Sequence, residues 1–294
     1  MNPNPRLNHV LCVDTPSVTR MALHRMAYWE WGDAANPHVI VCVHGLTRQG
    51  RDFDTLARAL APYCRVVCPD VVGRGRSGRL ENPQGYQLPQ YISDMVSLVA
   101  RLNVEAVDWV GTSMGGLIGL GVASLAGSPV RRLVLNDIGP TLEPDSLLRI
   151  GQYLGQPAHW RTLDEAADAM WQVSSSFGPH TREQWLALSA PQTVPDGDGY
   201  KPHYDPAIAI PFKSATPEFA QVSQALLWQA YDALRIPTLL VRGAESDLLS
   251  HATAQGMTQR GPRARLVEFA GVGHAPTLVQ DDQVEAVRSF LLSR

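Results

Sequence analysis

A serine stands between glycines in Val110-Gly111-Thr112-Ser113-Met114-Gly115-Gly116. The apolar run Ala106 to Val110 leads into it, and Leu117 to Ala126 continues small and apolar without a breaker. This pattern predicts a buried strand turning sharply into a helix. Such a turn strains the serine backbone by on the order of 1–3 kcal/mol and leaves no room for a Cβ at the flanking glycines. It presents the Ser113 hydroxyl next to a helix N-terminus, whose free N–H groups favour negative charge. The chemistry this serves is nucleophilic attack, provided a base stands close by.

Candidates for that base and its orienting acid come later in the chain. Asp137 follows the apolar run 131–135, Asp247 follows 238–241, and His274 lies in Gly271-Val272-Gly273-His274 after the run 265–269. Serine, acid and histidine in this order is one arrangement that builds a nucleophile, a base and its orienter. Either Asp137 or Asp247 can fill the acid position. An Asp before a turn also hydrogen-bonds loop amides, which is the competing role for Asp137.

These residues must be held by strands and helices in alternation. Strands are predicted at 10–13, 22–31, 39–43, 65–68, 106–110, 131–135, 238–241 and 265–269, and helices at 53–61 (with Asp52 as N-cap), 89–102, 250–259 and 282–292. Alternation implies a mostly parallel sheet, in which ligands bind at the carboxyl ends of strands. Ser113, Asp137, Asp247 and His274 all fall at such ends, as does His44-Gly45-Leu46. The glycine-rich loop Asp70 to Gly78 lacks the Lys-Ser/Thr ending of a phosphate-binding loop, so Asp70 is read as a brace for its turn. Arg74 and Arg76, in the same loop, are read as structural or solvated rather than as ligands for a substrate carboxylate.

The rhythm stops between Asp137 and Pro237. Thr162-x-x-Glu165 and Thr181-x-x-Gln184 are capping boxes, and Thr216-Pro217 opens another helix. Four of the seven tryptophans (Trp160, Trp171, Trp185, Trp228) lie there and are read as its packing core. The division expected is an α/β core from 1–138 and 233–294, carrying a helical lid at 139–232. Tyr204-Asp205-Pro206 reads only as a turn.

The 294 residues are 45% hydrophobic and 18% charged with a net charge of −3, enough for a large core and without the basic excess of a nucleic-acid or membrane-surface binder. The polar start Met1 to His9 has no apolar core segment, so neither a signal peptide nor a membrane span is expected there. Cys12, Cys42, Cys64 and Cys68 lie in or beside apolar strands and read as buried free thiols, with no metal site, which makes the cytoplasm the expected compartment. The partner expected is a small-molecule substrate, and the oligomeric state is left open.

From about residue 8 onward the chain resembles the α/β-hydrolase fold family. The resemblance rests on His44-Gly45, Asp70-x-x-Gly73-x-Gly75-x-Ser77, Gly111-x-Ser113-x-Gly115, Gly243-x-x-x-Asp247 and Gly273-His274. It implies a parallel sheet with helices on both faces. Ser113 would be the nucleophile, His274 its base, and the backbone N–H groups of Leu46 and Met114 the oxyanion hole. His44 would shape the Leu46 loop, and no cofactor is implied. Relatives place the acid at either position, and Asp247 lies in the commoner pattern; it is taken as the acid, with Asp137 as the alternative. A serine nucleophile leaves esters, lactones, thioesters and dienoate C–C bonds as substrates in this family, and Ala275-Pro276 after His274, where C–C hydrolases often carry a Trp, favours hydrolysis of a small ester or lactone. Dienoate C–C hydrolysis, cofactor-free haloperoxidation and a non-turnover ligand receptor are the alternatives the family offers.

Overall fold

The computed structural model describes residues 4–14, 22–214 and 216–293. Residues 1–3 of the polar start and the outermost residues of the expected core span lie outside these. An eight-stranded sheet runs through the molecule in the order β1-β2-β4-β3-β5-β6-β9-β10. Its strands are β1 (Arg6–Asp14), β2 (Ala22–Trp31), β3 (Val39–Val43), β4 (Arg65–Pro69), β5 (Val107–Thr112), β6 (Val130–Asn136), β9 (Thr238–Gly243) and β10 (Arg265–Phe269). β1 and β2 pair antiparallel, as do β2 and β4; every later pairing is parallel.

The parallel core follows from the sequence of its strands. All five residues of β3 are buried, as expected of a strand covered on both faces. Val39, Val41 and Val43 pack on one side with Trp109, Met95 and Ile118, under helices α2 (Leu88–Leu102) and α3 (Met114–Ala123). Ile40 and Cys42 point to the other side, against Leu56, Leu60, Val287 and Leu291 of α1 (Asp54–Leu60) and α10 (Asp281–Leu292). The side-chain period of two thus divides one apolar run between two cores. α1 begins later than predicted: Gly50–Phe53 is a 3-10 turn, and the Asp52 carboxylate pairs with Arg48 instead of capping a helix.

Between β6 and β9 the chain forms α4 (Pro144–Tyr153), α5 (Leu163–Ser174), α6 (Arg182–Ser189), the hairpin β7 (Thr193–Asp196) and β8 (Gly199–Pro202), α7 (Ala209–Lys213) and α8 (Pro217–Ala233). Thr181 and Gln184 form a full capping box. At Thr162 only half of one forms, because Glu165 turns back to the Arg161 N–H. The hairpin departs from the helices and loops expected. Each of its strands contains a proline, which reads as a strand breaker, yet a two-stranded ribbon is all edge and tolerates it. α9 (His251–Gln259) follows β9, and the Ser250 side chain caps it by accepting the Thr253 N–H. All four cysteines are buried and free. Among the described residues no helix is long and apolar enough to cross a membrane.

Candidate active site

β5 delivers Ser113 to the start of α3 with φ 52° and ψ −120°, far from an ordinary strand or helix. The neighbouring glycines permit this. A Cβ on Gly115 would lie 1.9 Å from the Val43 carbonyl oxygen, and one on Gly111 would lie 2.3 Å from the Gly115 backbone. His274 Nε2 stands 3.0 Å from Ser113 Oγ. The other ring nitrogen, Nδ1, stands 2.7 Å from Asp137 Oδ2.

Asp137, not Asp247, therefore meets His274. It is fully buried at the end of β6 with φ 55°, a left-handed conformation that Asp tolerates better than most residues. Its carboxylate also accepts the Gly243 N–H at 2.9 Å and the Ser246 hydroxyl at 2.6 Å. The expectation for Asp247 is corrected here. That side chain is half exposed and binds Arg149, while its carbonyl accepts the Ser146 hydroxyl. The Gly243-x-x-x-Asp247 loop does reach the site, but through Gly243 and Ser246, which hold the Asp137 carboxylate at the end of the preceding strand. Ser246 carried no sequence signal because serine is unremarkable in a loop. Asn136 was missed as well: its amide donates to the Pro276 carbonyl and to Thr112, tying the His274 loop to the ends of β5 and β6.

His44 is buried, and burial lowers its pKa to about 3, so the ring is neutral. Nε2 accepts the Val71 N–H at 2.9 Å, which leaves Nδ1 to donate to the Gly45 carbonyl at 2.7 Å. Because the peptide is planar and trans, fixing the Gly45 C=O also fixes the opposite direction of the Leu46 N–H. Arg74, also buried, donates to the Leu46 carbonyl at 2.8 Å, to Val72 and to Tyr91, and its remaining nitrogen meets the Met114 sulfur at 3.7 Å. It is a structural arginine that holds both Leu46 and Met114, the two residues nominated for the oxyanion hole. Arg76 is exposed. Asp70 accepts the Gly50 and Arg76 N–H groups and braces its loop, and burial raises its pKa to about 6.

Tyr204-Asp205-Pro206 is more than a turn. Asp205 accepts the Tyr86 hydroxyl at 2.7 Å and caps Ala207, while backbone bonds join Asp205 to Gly73 and His203 to Gly75. This stitches the inserted segment to the Arg74 loop. The partners lie about 120 positions upstream, out of reach of any local pattern.

A cavity of about 320 Å³ opens over Ser113 and His274. Leu46 and Thr112 form its base, and Ile150, Tyr153, Met170 and Phe177 of the inserted segment form its walls. Of the four tryptophans in that segment only Trp160 lines it. Trp171 and Trp185 stack edge-on with Phe177 and His180 nearby, and Trp228 packs on Tyr231, so the tryptophans mainly build the segment itself. Among the described residues one group has metal-ligating types together: Cys12, His24 and Asp94, buried between β1, β2 and α2. His24 already bonds Asp94 at 3.0 Å, and burial pushes the Cys12 thiol up to about 12, which keeps it protonated.

Residues 38–280 match the family described as alpha/beta hydrolase fold. The chain is 52% identical over 294 residues to a 3-hydroxybutyrate-oligomer hydrolase of Cupriavidus necator, covering 99% of both. It is 26% identical to Esterase YbfF of Escherichia coli, over 87% of this chain and 94% of that one. Among solved structures, an alpha/beta hydrolase from Novosphingobium aromaticivorans superposes with a TM-score of 0.83 at 34% identity, covering 98% of each chain. The strand–turn–helix around Ser113, the parallel sheet and these matches agree: the chain belongs to the alpha/beta hydrolase fold family and is an enzyme of it.

Proposed function

We propose that this enzyme is a serine hydrolase of carboxylic esters whose substrates are short oligomers of a hydroxy acid. The observation that carries the reading is the continuous line Ser113 Oγ, His274 Nε2, His274 Nδ1, Asp137 Oδ2, with contacts of 3.0 and 2.7 Å. The substrate class rests on similarity to the 3-hydroxybutyrate-oligomer hydrolase and on the apolar walls of the cavity. Lactones, whose ester bond is broken by the same steps, are accepted where they fit.

Asp137 holds the imidazole with its proton on Nδ1, so the Nε2 lone pair faces Ser113. Ser113 Oγ attacks the ester carbonyl as Nε2 takes its proton. The oxyanion accepts the N–H groups of Leu46 and Met114, each worth about 10²–10³ in rate in comparable sites. Collapse breaks the C–O bond, and the departing alkoxide takes the proton from His274, leaving an acyl group on Ser113. Water then attacks the acyl group and gives a proton to Nε2. The carboxylic acid leaves, and the proton returns to Ser113. The chemistry calls for no cofactor or metal. Residues 139–232 act as the lid that shields the acyl group, over a core of 1–138 and 233–294. The compartment proposed is the cytoplasm, a reading that the buried free thiols support.

The test is hydrolysis of the linear dimer of 3-hydroxybutyrate and of p-nitrophenyl butyrate. Turnover of both is expected. Binding of either without turnover is the result expected of a ligand receptor and contradicts the proposal.

A further inference from the structure

The charged side chains on the cavity wall are Arg48, Asp52 and Arg149. Arg48 and Asp52 neutralise each other: two guanidinium nitrogens meet both carboxylate oxygens at 2.7 and 2.8 Å, and Gln192 adds a third bond to Asp52. Their side chains are only 15% and 18% exposed. Arg149 is held differently. Its partner Asp247 stands outside the cavity lining, the side chains are 41% and 50% exposed, and one guanidinium nitrogen makes the contact at 2.5 Å. An ion pair so open to water is weak and exchanges readily. Most of the five N–H donors of Arg149 remain available to another oxyanion.

The cavity thus joins apolar walls to one loosely partnered cation at its exposed rim. A substrate with an apolar body and an anionic end matches both features. A linear oligomer of a hydroxy acid whose acid end is free ends in a carboxylate, so this inference rests on the function proposed above. We propose that Arg149 receives the terminal carboxylate of the oligomer, exchanging Asp247 for it. Asp247 is the resident counter-ion that keeps Arg149 in place while the site is empty. The exchange leaves α4 tethered to the β9–α9 loop, because Ser146, one turn before Arg149, still donates to the Asp247 carbonyl at 2.6 Å. A methyl ester of the same oligomer has no charge to offer and gains nothing from Arg149.

The test is calorimetric binding of the linear 3-hydroxybutyrate dimer and of its methyl ester, in the Ser113→Ala background at low ionic strength. Arg149→Gln is expected to raise the ratio Kd(acid)/Kd(ester) by about three- to tenfold, and Arg149→Lys to restore part of it. Asp247→Asn is expected to lower the ratio, since the competing carboxylate is gone. A ratio unmoved by Arg149→Gln, or no binding of either ligand, overturns the carboxylate site. Turnover of the dimer by the unmutated enzyme is read separately. Dimer cleavage with an unmoved ratio overturns this site alone, whereas an Arg149-dependent ratio without cleavage upholds it and overturns the esterase reading.

Discussion

The Nδ1 atom of His274 lies 2.7 Å from Oδ2 of Asp137, and the same carboxylate accepts Gly243 N–H and the Ser246 hydroxyl. Three donors fix this carboxylate in a site closed to water, so it has one orientation to offer the imidazole. Asp247, at the end of the next strand, has its side chain turned out to Arg149.

Asp137→Asn is expected to lose about 10⁴ in kcat, because an amide selects the wrong imidazole tautomer. Asp247→Asn is expected to keep kcat on p-nitrophenyl butyrate within about threefold, because its half-exposed side chain pairs with Arg149 and not with His274. Steady-state kinetics on both variants, with folding checked by thermal melts, decides between the two acids. The opposite ranking returns the role to Asp247.

Ser246→Ala removes one of the three donors to Asp137. The expected loss is about 1–2 kcal/mol of stability together with a fall of about tenfold in kcat, through a looser Asp137. Urea unfolding and kcat measured on the same preparation check this. A variant with full kcat shows that Gly243 and His274 suffice to hold the carboxylate.

Chain order could not choose between the acids, since Ser…Asp…His is satisfied by Asp137 and by Asp247 alike. The strand-end positions of Ser113, His274 and Leu46 were legible because a local strand–turn–helix pattern and glycine spacing carry them. Which carboxylate turns inward depends on the φ of 55° at Asp137 and on donors from a loop about 106 positions away, and no local pattern encodes either. The sheet was legible almost strand by strand, because buried parallel strands are continuous apolar runs. The β7–β8 hairpin and the Tyr86–Asp205 bond were not: the prolines masked the first, and the second joins distant segments.

Tyr86→Phe leaves both Asp205 and the Leu80 N–H without the hydroxyl they share. A cost of about 2–3 kcal/mol is expected, lowering Tm by several degrees. The inserted segment is also anchored less firmly over the cavity, so KM should rise more than kcat falls. Thermal melts and kinetics on p-nitrophenyl butyrate test both parts, and an unchanged Tm removes the stitch from the account.

Two buried groups pull the pH dependence of stability in opposite directions. His44 titrates at about 3 in the folded state, below its ordinary value of ~6.5, so acidification from ~6.5 toward ~3 destabilises the fold as the unfolded chain takes the proton first. Asp70 titrates at about 6, above its ordinary ~3.9, so acidification between those values stabilises the fold instead. Where the windows overlap, the two slopes oppose each other. His44→Gln should be less stable at neutral pH, yet its stability between pH ~4 and ~6 should change relative to wild type by about 1.4 kcal/mol per pH unit in favour of the acid side. Urea unfolding across that range measures the slope; parallel curves for the two proteins contradict a neutral buried His44.

The role of Ser113 is tested most directly by the intact mass of the enzyme after treatment with a fluorophosphonate. The prediction is a single adduct on the peptide carrying Ser113, formed at the rate at which ester hydrolysis is lost. Ser113→Ala should form no adduct and lose as much as ~10⁶ in kcat while melting like the wild type. An adduct mapped to another serine, or wild-type turnover by Ser113→Ala, contradicts the account.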